Sequence, residues 1–421
     1  MVKRVERLIF TKKIKMTREQ LLLTSEKIGT PTYVYDAEKI RSQYKRLENA
    51  FDKLPVKLHY AMKALSNVNV LRLLKQEGAG LDAVSIQEVQ LGLRAGFEPQ
   101  AIMYTPNSVD FEEIQEAVKI GVHINIDNLT MLEEFGHVYG DTVPCCIRIN
   151  PHIMAGGNSN ISVGHIDSKF GISIHQVRHI KRIIENYGIH VNGLHMHTGS
   201  DIVDAQVFLR GADLLYEAAS SFPDLEFLDF GSGFKVAYKE GDYVAEIEEI
   251  GTAIAQSFRK FCSEYGRELE LWFEPGKYIV SESGELVVKA NVIKQTTSTV
   301  FVGVNSGQNH LIRPMFYNAY HHIENISNPE GTKRLYSVVG YICESDTLGY
   351  DRILTEVTVG DILTIKNAGA YGFSMANNYN SRFRPAEVLI DGDSIQLIRK
   401  RETLEDLMAN EVELDKYKVE A

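Results

Sequence analysis

The chain has 421 residues, 44 % hydrophobic and 24 % charged, a soluble globular composition too long for one ordinary core, so two domains are expected. A formal net charge of −11 argues against a nucleic-acid or anionic-membrane binder, yet leaves room for a locally basic pocket that takes a small anion. The four irregularly spaced cysteines, Cys145, Cys146, Cys262 and Cys343, offer neither a disulfide framework nor a CxxC zinc site and suit a reducing compartment.

The opening MVKRVERLIFTKKIKMTREQ is basic with a short apolar patch, not the apolar core of a secretory signal, and no later run is long enough to span a bilayer. A cytoplasmic protein is expected. The first 30 residues fit no clear pattern and are grouped with the second domain. From about residue 57 to 276, strand-like runs alternate with helical spacing. The strands are KLHYAMKA, LDAVS, AIMYT, HINIDN, PCCIRIN, VNGLHMHTGS, FLDFGSG and LWFEPG. Helical segments between them, such as NVNVLRLLKQEG and SIQEVQLGLRAG, end at glycine. Eight such units predict a TIM (β/α)8 barrel over 31–281, with a doubly wound open sheet as the alternative. After Glu274 the texture changes to short strands and turns, including ELVVKANVIKQ, TVFVGVNSG, RLYSVVGYICE, DILTIKNAG, AEVLIDG and SIQLIRK. Residues 1–30 and 282–421 therefore predict an all-β, Greek-key-like domain closed by a helix at ETLEDLMANE, contributing to the substrate site and to a subunit interface.

Working residues of a barrel sit at the C-terminal ends of its strands. Those ends supply Lys63, Asp82, Ser85, Arg148, His197, Ser200, the Gly231-Ser232-Gly233 turn and Glu274. Lys63 closes VKLHYAMKAL, where an ammonium on an apolar strand has to be solvated, paired or chemically used. Glycine turns let backbone N–H groups approach an anion, although a lone GSG reads equally as an ordinary tight turn. His195 and His197 of LHMH share one side of a strand: a metal pair, a hydrogen-bonded core histidine, or a flat ring against a planar cofactor. Glu274 in WFEPGKY needs a cationic partner, which a protonated heteroaromatic nitrogen, a lysine or a structural salt bridge would provide. A lysine, an anion cradle, a flat histidine and a deep carboxylate together meet the needs of pyridoxal 5'-phosphate.

HYAMKAL, GLDAVS, SKFGI, GLHMHTGS, DFGSGF, EPGKY, LIRPMFY, ICES and AGAYG with SMANNYNSR follow in an order that resembles diaminopimelate decarboxylases, fold-type III pyridoxal-phosphate enzymes, over roughly residues 28 to 410. The resemblance implies a homodimer with shared active sites and a small amino-acid substrate, no nucleic acid and no membrane. It implies Lys63 as the cofactor-bearing lysine, His197 as the ring-stacking residue and Glu274 as the partner of the ring nitrogen. Ser200, Gly231, Ser232, Gly233, Gly276 and Tyr371 would hold the phosphate, and Asp82 and Arg148 would border the ring. Cys343 would reach across from the partner subunit as proton donor. Arg313 and Tyr317 suit a distal carboxylate and Glu344 a distal ammonium, whereas Arg313 alone reads equally as an interface salt bridge and Cys343 as an inert buried thiol. Lys277 and Tyr371 would border both cofactor and substrate.

The pattern departs from the family at Lys277, usually arginine, at Ser232, usually glycine, at Leu65, usually asparagine, and at PNS after AIMYT. The implied activity is decarboxylation of meso-2,6-diaminopimelate at its D-centre. The alternatives are a decarboxylase of ornithine, arginine or carboxynorspermidine, a non-catalytic pyridoxal-phosphate carrier, and, more remotely, a metal-dependent barrel hydrolase.

Overall fold

The computed structural model describes residues 16–153, 168–197, 199 and 204–414. Its strands in chain order are β1 (Thr32–Asp36), β2 (Val56–Ala61), β3 (Gly80–Ala83), β4 (Ile102–Tyr104), β5 (His123–Ile126), β6 (Cys145–Asn150), β7 (Ile172–Ser173), β8 (Val191–His195) and β9 (Phe227–Asp229). They continue as β10 (Glu270–Phe273), β11 (Gly284–Gln295), β12 (Val300–Val304), β13 (Ile323–Asn325), β14 (Lys333–Val339), β15 (Thr347–Thr355), β16 (Ile362–Ile365), β17 (Ala386–Asp391) and β18 (Ser394–Arg399).

Strands β2, β3, β4, β5, β6, β8, β9 and β10 pair in parallel in that order, and β10 returns to β2. That pairing closes the cylinder and excludes the open sheet. Each parallel crossover needs a helix, and the local chemistry supplies one. Asn67, Ser85, Asp110 and Asn128 each cap the helix that follows, and helices end at Gly78, Gly96 and Gly121, whose φ values of 99°, 99° and 88° suit a residue without Cβ. Ser85, expected at the site, is spent on such a cap, accepting the Glu88 N–H at 3.2 Å.

Alternation along the strands sorts the barrel interior into layers. Met103, Cys146, Phe227 and Trp272 form one buried cluster, with Phe227 stacked on Trp272 at 3.8 Å between centroids. Gly193 belongs here, because a Cβ would lie 2.2 Å from the Phe227 ring. Two residues further along each strand stand Thr105, Arg148, His195, Asp229 and Glu274, all buried. The apolar layer plugs one end of the barrel, and the polar layer is its mouth.

The second sheet runs β15-β14-β12-β11-β1-β17-β18, with β16 joining β11 to β13. It is mixed, since β1–β17 and β12–β14 are parallel pairs. Thr32–Asp36, expected inside the barrel, lies instead between β11 and β17 of this sheet, so the barrel's border falls after Asp36. All five of its residues are buried, which removes the alternation that would have marked a half-exposed strand. The N-terminal segment contributes a helix, Arg18–Lys27, whose Leu21 packs on Val34, Val287, Val388 and Ile390. A short helix, Leu404–Met408, follows β18. No helix among the described residues is long and apolar enough to cross a membrane.

Candidate active site

A cavity of about 390 Å³ opens at the barrel mouth, lined by Lys63, Arg148, His197, Ser232, Gly233, Glu274, Gly276, Lys277 and Tyr371, together with Thr105, Asn107 and Phe170. Strand β2 stops at Ala61, two residues short of Lys63, which rides on the 3-10 turn Met62–Ala64. Two contacts from other parts of the chain set that turn. Ala61 N–H donates to Pro275 O, and Tyr371 N–H donates to Ala64 O at 2.9 Å. Methyl-sized packing continues at Gly276, where a Cβ would sit 3.1 Å from those of Ala61 and Ala64.

Lys63 is not sealed in the core: 42 % of its side chain is exposed, toward the cavity, and Nζ lies 2.6 Å from Oδ2 of the fully buried Asp82. Burial works against the ammonium, but Asp82, Tyr371 and Glu274 outweigh it and raise the lysine above its ordinary value. Burial and the nearby Glu274 raise the Asp82 carboxyl, against the pull of Lys63. Glu274 is also opposed by burial, yet His195, with Lys63 and His197, holds it well below the usual carboxylate range. His195 Nε2 lies 3.2 Å from Glu274 Oε2.

His197, just past the end of β8, accepts the Ser232 N–H at Nδ1, 3.1 Å away. That bond leaves Nε2 as the protonated nitrogen of a neutral ring, and burial with Arg148 and Lys63 pushes its pKa down to about 3. The turn itself follows from its glycines. Gly231 and Gly233 have φ of 60° and 131°, whereas Ser232 between them is outside the left-handed region, so the serine occupies the one position where a Cβ is unstrained. A Cβ on Gly231 would meet His197 Nδ1 at 2.7 Å. Arg148 is buried, its guanidinium 4.8 Å from the Phe170 ring centre, and burial lowers its pKa.

Tyr371 comes from the second domain with φ of 55°, uncommon for a residue with a side chain. Beside it, Arg313 lies 5.4 Å from the ring centre of Tyr238, 5.7 Å from that of Tyr317 and 5.9 Å from that of Tyr371, and its buried Nε has no partner. Cys343 and Glu344 do not line the cavity. Both are exposed, Cys343 N–H donating to Asn380 Oδ1 at 2.9 Å and Glu344 Oε1 accepting the Tyr379 hydroxyl at 3.1 Å. Cys343 is therefore not a thiol of this chain's own core. Ser200 lies outside the described residues.

Thr105, Asn107, Phe170 and Tyr238 had no place in the sequence expectation. Thr105 ends AIMYT and Phe170 stands in SKFGI, so a strand end and a motif marked two of them. Asn107 lies in the PNS stretch noted as a departure from the family pattern, whereas Tyr238 sits in a loop with no local signal. The pairing of His195 with His197 as metal ligands is not what forms: the one cluster among the described residues that could hold an ion is His195, Asp229 and Glu274.

Residues 37–281 match the family model described as "Pyridoxal-dependent decarboxylase, pyridoxal binding domain", which places the barrel among the pyridoxal-dependent decarboxylases. Over 395 residues the chain is 38 % identical to the diaminopimelate decarboxylase of Methanothermobacter thermautotrophicus, covering 91 % of this chain and 92 % of that one. The solved structure of diaminopimelate decarboxylase from Helicobacter pylori complexed with L-lysine superposes with a TM-score of 0.85 at 33 % identity, covering 93 % of this chain and 98 % of that one. The Methanocaldococcus jannaschii enzyme in co-complex with L-lysine gives 0.86 at 33 % identity, covering 94 % and 95 %. The chain belongs to the diaminopimelate decarboxylase family.

Proposed function

We propose that this chain decarboxylates meso-2,6-diaminopimelate at its D-centre with pyridoxal 5'-phosphate as cofactor, giving L-lysine and carbon dioxide. One observation carries the reading: a cavity-facing lysine paired with a buried aspartate, sharing its cavity with a buried, ionised glutamate. The residues present fit the cofactor. The cavity has a small-molecule volume, Ser232 and Gly233 of the glycine turn line it, and Asp82 Oδ1 is buried without a partner.

When bound, the cofactor supplies a protonated ring that accepts the electron pair left by departing carbon dioxide. Lys63 would hold it covalently, and the proton that Nζ must lose has Asp82 Oδ2 as acceptor 2.6 Å away. Glu274 would face the ring nitrogen, His197 would offer an uncharged surface to the ring, and Arg148 would border it. Backbone N–H groups of Gly233 and Gly276, with Ser200, Tyr371 and the Lys277 ammonium, would take the phosphate; a lysine there gives charge without the bidentate fork of arginine. Arg313, held among three tyrosines with Nε unsatisfied, would bind the distal carboxylate of the substrate, with Tyr317 beside it. Fixing that end would orient the carboxylate to be lost, so remote binding serves the reacting centre.

Cys343 and Glu344, exposed and away from this chain's cavity, would complete the site of a second copy, Cys343 Sγ delivering the proton and Glu344 taking the distal ammonium. A homodimer in the cytoplasm, where Cys343 stays a thiol, goes with this reading. Incubation with cofactor and meso-diaminopimelate, followed by chiral analysis, should yield L-lysine. Faster carbon dioxide release from ornithine, arginine or carboxynorspermidine would overturn the substrate, and cofactor binding with no turnover on any of the four would overturn the enzyme. Lys63→Ala and Cys343→Ala are each expected to be nearly inactive. Mixing them should restore about a quarter of wild-type activity, since half the randomly formed dimers hold one intact site. No recovery after verified subunit exchange would mean that each site is built from one chain.

A further inference from the structure

Glu274 is held from two sides, by His195 on one oxygen and by Thr105 on the other. His195 Nε2 lies 3.2 Å from Oε2, and Thr105 Oγ1 donates to Oε1 at 3.4 Å while Asn125 Nδ2 reaches Thr105 Oγ1 at 3.5 Å. All of these residues are buried, His195 with only 1 % of its side chain exposed. An ionised carboxylate only accepts, so the His195 nitrogen that faces it carries the hydrogen. The other nitrogen, Nδ1, is buried with no partner.

Asp229 is the register partner of His195 on the next strand. Its Oδ1 accepts the Gly231 N–H at 2.8 Å, and its Oδ2 is buried without a partner. One ligand atom from each of His195, Asp229 and Glu274 lies within 4.8 Å of the others. Two carboxylates buried that closely do not both ionise, and the one in the less favourable surroundings keeps the proton. Burial and the Glu274 charge raise the Asp229 carboxyl well above the carboxylate range, whereas Glu274 has a donor on each oxygen. The unpartnered Oδ2 of Asp229 is the atom on which that proton fits.

We propose that His195 is a positioning residue for Glu274: it fixes the plane of the carboxylate and keeps it ionised, while Asp229 stands beside it as a neutral acid. The role rests on the reading that Glu274 meets the cofactor's ring nitrogen, and a pair of probes separates the two. Apo-protein is titrated with pyridoxal 5'-phosphate and with its isostere in which C–H replaces the ring nitrogen. Wild type should prefer the natural cofactor by about 10- to 100-fold, the strength of one hydrogen bond to a charged group.

His195→Phe should cut that preference by about tenfold, and His195→Gln, which keeps an N–H donor, should restore most of it. Asp229→Asn should leave the preference at the wild-type value, because a carboxamide resembles the neutral acid. Should His195→Phe fail to fold, His195→Asn, too short to reach Glu274, takes its place. A wild type without preference would overturn the Glu274 reading itself. A wild-type preference kept in His195→Phe or His195→Asn, with only the unfolding temperature lowered, would make His195 merely structural. A lost preference in Asp229→Asn, or a stoichiometric divalent ion in purified apo-protein, would overturn the neutral-acid arrangement.

Discussion

The two ends of the barrel interior are separated by only two residues along each strand and obey opposite rules. At the plugged end, Phe227 and Trp272 stack and Gly193 yields space to them, so the layer is made by volume. At the mouth, Asp229 and Glu274 occupy the next inward positions of the same strands, β9 and β10, or just beyond them, and the layer is made by charge. Groups there are paired, neutralised or left with orphaned atoms, as Asp82 Oδ1, His195 Nδ1 and Asp229 Oδ2 are. A fold can carry that many costly groups because the plug beneath them is apolar and tightly packed. On the proposed reading, the polar layer in turn is where binding energy from a cofactor would be gained.

Changes on either side of that division should read out differently. Trp272→Ala should cost about 3–5 kcal/mol of unfolding free energy, measured by denaturant titration, while cofactor affinity of the folded protein stays near wild type. A large loss of affinity at unchanged stability would erase the division. A milder test uses pH. Burial of His59, which packs on Trp272 at 4.4 Å between ring centres, pushes its pKa down to about 3. A histidine depressed in the folded state stabilises fully above its unfolded value near 6.5 and loses that contribution as pH falls. Between about pH 6 and pH 4, wild-type apo-protein should therefore lose about 1.4 kcal/mol per pH unit more than His59→Gln. Parallel stability profiles would mean that His59 is already protonated or solvated. The smallest effect is expected at Ser232→Gly, where added backbone freedom of about 0.5–1 kcal/mol should weaken cofactor binding by about two- to fivefold. A gain in affinity would show that the serine strains the turn.

The same division explains what could be read from the sequence. All eight barrel strands were legible because each short apolar run gives way to helical spacing, most of the intervening helices being capped by a side chain and several ending at glycine, and mouth residues followed from reading strand ends. Lys63, Arg148, His197, Ser232, Gly233 and Glu274 all reach the cavity. The strand β1 was not legible, being buried throughout between β11 and β17, nor was β15, whose TLGYDRILT carries exposed Tyr350 and Ile353 on an edge. Alternation fails as a signal in both cases. The partnership of His195 with Glu274 joins residues 79 apart, and Arg313 meets Tyr238 across 75, separations at which no spacing rule operates. Ser85 misled for a local reason: a serine after a strand caps a helix as readily as it binds a ligand.

The account turns on Lys63 being the amine that holds the cofactor. Apo-protein supplied with pyridoxal 5'-phosphate, reduced with borohydride and digested, should show the added mass on the peptide containing Lys63 and no other. A label on Lys277 or another lysine, or protein that takes up no label, would contradict it.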